Sequence, residues 1–128
     1  MSEPGAALER FLRGEIELAA FSHREHVHMA FQMLRRQSFL EAALRYSQAL
    51  AAMTARAGKP ELFHQTITLA FLSIIAERMD ATRATDFSTF ARDNPDVLDR
   101  SALAHWYRPE RLATPLARRT FLLPDPLI

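Results

Sequence analysis

Apolar residues recur every three to four positions along most of the chain, and the stripes they form predict three long helices. The first starts at Ser22, with Val27, Ala30, Phe31 and Leu34 as its buried stripe. Ser22 and Glu25 make an S-x-x-E capping box, and Phe21, just before the cap, is placed to staple onto His26. Ser38 and Glu41 repeat the box. A second helix is therefore expected from Ser38 to about Ala57, with Phe39, Ala43, Tyr46, Leu50 and Met53 along its seam. Gly58 supplies a stop, and Pro60 suits the first position of a third helix, expected over Glu61 to about Met79. Apolar residues cover most of that helix, including Phe63, Ile67, Phe71, Leu72 and Ile75, so it should be the most buried. The connections between these helices are short, which makes consecutive helices antiparallel neighbours.

Shorter pieces flank this core. Residues Ala6 to Arg13 read as a short helix stopped by Gly14, and Glu15 to Phe21 fits either an extended approach or another helical turn. Asp86 can cap a turn carrying Phe87 and Phe90, and Asn94-Pro95 looks like a cap followed by proline at the first position. Thr114-Pro115 opens one more short helix. His105, Trp106 and Tyr107 form a packing cluster. The apolar, proline-rich end from Phe121 to Ile128 cannot be helical and is expected to lie extended across the bundle, or to be offered to a partner. The fold class is all-α: a single domain over residues 1–128, an antiparallel helical bundle with an extended C-terminal tail.

Composition narrows the chemistry. The chain has 128 residues, 48% hydrophobic and 24% charged, enough for one ordinary core. It has no cysteine, so thiol nucleophiles, disulfides and thiolate metal sites are excluded, and any metal must be held by nitrogen and oxygen. A net charge of +1, from 16 basic and 15 acidic residues, gives no field to steer nucleic acid. The start of the chain lacks the basic and apolar regions of a signal peptide, and no apolar run is long enough for a membrane span, so a cytoplasmic protein is expected. No phosphate-binding glycine loop, G-x-S-x-G elbow or H-E-x-x-H pair is present.

What remains is histidine. His23, His26 and His28 fall within six residues at the start of the first long helix. On a helical wheel of about 100° per residue, His23 and His26 lie in or beside the buried stripe, and His28 projects away from it. If the long helices run down, up and down, the first and third begin at the same end, which brings His64 to His23 and His26. Helix axes about 8–10 Å apart let inward imidazoles meet. Three nitrogens with an open fourth position match a divalent metal such as zinc or iron, activating water or polarising a substrate oxygen. Thr68 and Glu25 would orient the rings, although Glu25 also serves as a capping residue. Without metal, the same helix ends form an anion pocket with histidines as acid or base. A third reading makes the histidines structural, packed and hydrogen-bonded to carbonyls.

The pattern Phe21-x-His23-x-x-His26, Ala30, Gly58-Lys59-Pro60 and Phe63-His64-x-Thr66-x-Thr68 resembles a family of small uncharacterised bacterial helical proteins. Asn94-Pro95-Asp96 and the ending Phe121-Leu122-Leu123-Pro124-Asp125 are similar too. The resemblance implies that His23, His26 and His64 belong together, and it brings no activity with it. Two functions are therefore carried forward. One is a small enzyme acting on a small-molecule ligand at the three-histidine site. The other is a non-enzymatic helical interaction module, with room for a homodimer on the apolar tail. Neither reading involves nucleic acid or membrane.

Overall fold

A computed structural model of the protein describes residues 4–126. Among them every regular element is helical. Helix α1 spans Pro4–Leu12, α2 His23–Arg36, α3 Phe39–Arg56 and α4 Gln65–Thr82. Short helices α5 (Phe87–Asp93), α6 (Pro109–Leu112) and α7 (Pro115–Arg119) follow, with 3-10 turns between. The last two residues of the expected tail, Leu127 and Ile128, lie outside the described residues.

The capping residues act where their spacing placed them. The Ser22 hydroxyl accepts the Glu25 N–H and the Ser38 hydroxyl accepts the Glu41 N–H. The staple forms as well, with the Phe21 and His26 rings 4.3 Å apart. Asp86 caps α5 by accepting the Thr89 N–H, and Thr114 caps α7 by accepting that of Ala117. Gly14 and Gly58 take φ of +74° and +75° where helices end, the left-handed conformation glycine reaches without a Cβ clash.

Three local expectations are corrected. The residues after Pro60 form a 3-10 turn, Pro60–Leu62, and α4 starts only at Gln65, because Phe63 is extended and His64 becomes the cap. Asn94 does not cap. Its side-chain amide donates to the Phe90 carbonyl and its oxygen accepts from Arg78, which also forks onto Asp96 at 2.9 Å. Phe39 stands at the exposed start of α3, outside the seam that Tyr46, Leu50 and Met53 do bury. The residues from Glu15 to Phe21 settle into a 3-10 turn at Leu18–Ala20.

Helices α2, α3 and α4 pack on one another; α1 lies against α2 and α3, α5 against α2 and α4, and α7 against α4. Phe11, Phe31, Phe90, Met33, Met53 and Ile75 are fully buried between them. From Thr120 onward the described chain forms no helix, as its prolines require. It is fastened by backbone hydrogen bonds. The hydroxyl of Thr66, which has no exposed surface, donates to the Thr120 carbonyl at 2.7 Å and accepts the Leu122 N–H at 3.0 Å. Tyr107 donates to the Leu122 carbonyl, and Asp125 accepts the Arg108 N–H. Thr66→Val keeps the shape but strands two backbone groups, so it should cost about 2 kcal/mol in urea unfolding. Limited proteolysis should then cut the tail first; a tail as resistant as wild type would contradict this fastening.

Candidate functional site

His23 is the first residue of α2, Phe21 packs at a tilt against His26 one turn on, and the stripe of α2 turns both rings toward α4 and α3. There they line a cavity of about 690 Å³ between α2, α3, α4 and the segment from Arg100 to Leu112. Its walls are mainly apolar: Leu50, Ile67, Phe71, Leu72, Ile75 and Leu103 among others. His64 and Thr68 border it as well. The three histidines expected to converge at one end of the bundle therefore do share one cavity.

They do not share it as equals. His64 caps α4: its Nδ1 accepts the Ile67 N–H at 3.1 Å, so the ring is the Nε2–H tautomer, and that N–H meets the Leu112 carbonyl at 2.8 Å. Both nitrogens are committed to backbone, one within its own helix and one to α6, 48 residues away. An imidazole in this state offers no lone pair to a metal, and ligation would uncap α4. Among the described residues no group of three or more histidine, cysteine, aspartate or glutamate side chains is arranged to hold a metal ion. Of the neighbours expected to orient the rings, Thr68 is buried at the cavity wall. Glu25 is exposed, its backbone held by the cap, and it is not among the cavity residues.

His23 and His26 are different. The His23 Nε2–H donates to the Val97 carbonyl at 3.1 Å, which leaves its Nδ1 as a lone pair without a partner among the described residues. Phe71 meets its ring edge-on at 4.8 Å. Burial lowers the pKa of His23, opposed by the Val97 carbonyl; Arg100 lowers it further and Asp99 opposes that. His26 lies deeper. Burial, followed by the His23 ring and Arg100, brings its pKa down to about 4, so the ring is neutral at physiological pH. The Tyr46 hydroxyl donates to the His26 carbonyl at 3.1 Å and lies 3.4 Å from its Nδ1. Burial also pushes the Tyr46 pKa upward, so the phenol keeps its proton.

His28 points elsewhere, as the wheel placed it. Its ring stacks on Phe87 at 4.2 Å and its Nε2 accepts from the Gln32 amide. His105 and Trp106 pair edge-on at the exposed surface, whereas Tyr107 is buried at the cavity wall.

Three cavity residues were not singled out by sequence. Tyr46 read only as a core position, and its contact to α2 requires the tertiary packing. Arg100 and Ser101 come from a 3-10 turn, Arg100–His105, whose short irregular pattern carries no helical stripe. The adjacent Asp99-x-Ser101 is the only local signal, since Asp99 caps that turn by accepting the Ser101 N–H. Comparisons with protein families, with curated proteins and with solved structures give no match to this chain. Among the described residues no helix is long and apolar enough to cross a membrane.

Proposed function

We propose that this protein binds a small, mainly apolar molecule in the cavity between α2, α3 and α4, with His23 and His26 hydrogen-bonding its polar end. The observation that carries the reading is a cavity of about 690 Å³ with apolar walls and a few polar groups gathered near the start of α2. Sites for small molecules span roughly 300–1,000 Å³ and have that lining. Binding fits these histidines better than acid–base turnover. A catalytic imidazole must pass through its protonated form, usually beside a carboxylate that steadies it. Among the described residues no aspartate or glutamate lines this cavity, and Arg100 opposes protonation of both rings. As neutral rings they are hydrogen-bonding groups. The metal reading is set aside because His64 is spent on its cap.

The test uses a neutral, environment-sensitive dye such as Nile red. Ala104 lines the cavity yet is exposed at its opening, so Ala104→Trp can block entry while costing under about 0.5 kcal/mol in stability. Dye affinity should fall by tenfold or more. A control, Leu40→Glu, disrupts the exposed apolar residues at the start of α3 and should bind as wild type does. Loss of binding in the control with retention in Ala104→Trp would overturn the reading.

A further inference from the structure

The charges around the cavity define the ligand further. Of the described residues that line it, none is an aspartate or glutamate and only Arg100 carries a fixed positive charge. Among the described residues the Arg100 guanidinium makes no ion pair and no hydrogen bond to another side chain. The nearest acid, Asp99, is already engaged: it accepts both the N–H and the hydroxyl of Ser101, at 2.9 and 2.8 Å. Arg100 lines the cavity together with both rings, and the hydrogen bond from His23 to the Val97 carbonyl holds that ring against the turn that leads into Arg100. That end therefore has a cation without a side-chain partner, a free lone pair on the His23 Nδ1 and, among the described residues that line it, no carboxylate; Asp99 lies just beside it, turned onto Ser101. Along α4 the lining residues Ile67, Phe71, Leu72 and Ile75 are apolar, with Phe71 against the His23 ring.

Resting on the binding function proposed above, we propose that the ligand is an amphipathic carboxylic acid, its apolar body along α4 and its carboxyl group between Arg100 and the His23 Nδ1. A carboxyl group answers both partners. One oxygen accepts from the guanidinium, which matches carboxylate geometry. The other meets the His23 Nδ1 through one proton. Because carboxylate and imidazole are separately unprotonated in neutral solution, closing that contact takes up a proton: carboxylate, neutral His23 and one proton give a carboxylic acid whose O–H donates to the uncharged Nδ1. A phosphate ester, with a second charge, finds only one cation here. A primary amine meets Arg100 and is repelled.

Other titratable groups face this end without replacing that partner. His26 on α2 stays neutral, and Tyr46 on α3 and Tyr107, in the same segment as Arg100, keep their protons. His64 before α4 has both nitrogens engaged, and Asp99 is held by Ser101.

The experiment compares chains of equal length by calorimetry: decanoate, decanol and decylamine, with 4-phenylbutyrate and 4-phenylbutanol as a second pair. Measurements at pH 6.5 and 8 use wild type and Arg100→Gln. The acids should bind at least tenfold more tightly than the matched alcohols at pH 6.5, lose affinity toward pH 8, and lose the advantage in Arg100→Gln. The alcohols should be unaffected by that substitution. Alcohols binding as well as the acids, or the amine binding best, would overturn the carboxylate assignment and leave the apolar cavity standing. Failure of every chain to bind, acid and alcohol alike, would overturn both. Acids that keep their advantage in Arg100→Gln would overturn the role given to Arg100 and with it the proposal.

Discussion

Replacing His64 by alanine is expected to lower the free energy of unfolding by about 3 kcal/mol, roughly 1 from the lost N-cap and 2 from the Leu112 carbonyl left buried without a donor. The ring joins two places that nothing else connects so directly. Through Nδ1 it begins α4, and through Nε2 it holds α6, the end of the wall that closes the cavity. Urea unfolding monitored by circular dichroism measures the loss. His64→Asn, with a side chain that still caps but is shorter, should recover about 1 kcal/mol of it. A His64→Ala protein as stable as wild type would mean that this residue is not the hinge of the site. The same result would reopen its nitrogens for a ligand.

Lowering the pH from 7.5 to 5 is the second large perturbation. The His26 pKa is about 4 in the folded chain against 6.5 in the unfolded one, so below pH 6.5 the unfolded state binds the extra proton. Stability is therefore full above about pH 6.5 and is lost progressively as pH falls toward 4. A shift of this size corresponds to about 3 kcal/mol in all, about 2 of it already lost by pH 5. His23 and His28 are shifted in the same direction by burial and add to the slope. The carboxylates whose pKa values are lowered by hydrogen bonds, Asp86, Asp96 and Asp99, stay ionised through this window and titrate below it. Unfolding curves for wild type and His26→Leu at both pH values check the assignment. The variant should show a markedly flatter dependence, and equal slopes in the two proteins would contradict it.

The local elements were legible because their causes are local. Ser22, Ser38, Asp86 and Thr114 cap the neighbouring N–H groups that their spacing selects, and Phe21 finds His26 because both lie within one turn. That His23, His26 and His64 line one cavity follows from the antiparallel topology. Other features depend on contacts distant in sequence. His64 is a cap because α4 begins after it, and its second nitrogen is taken by Leu112, a partner no helical period reveals. The misplaced start of α4 has the same root: Pro60 does open a helical turn, but a 3-10 turn that ends at an extended Phe63. The wall from Arg100 to Leu112 is built of one 3-10 turn and a single short helix, so it carries no stripe to read. Among the described residues that wall supplies the only fixed cation of the cavity.

The central claim is that a small molecule occupies the space between α2, α3 and α4. Methyl and ring-carbon NMR spectra recorded while decanol is titrated into the wild-type protein test it most directly. The account predicts intermolecular contacts and shift changes at Ile67, Leu72, Ile75 and the rings of His23 and His26, with His28 unmoved on its Phe87 partner. Changes confined to the exposed Leu40, Leu44 and Leu123, with the cavity residues silent, would contradict it.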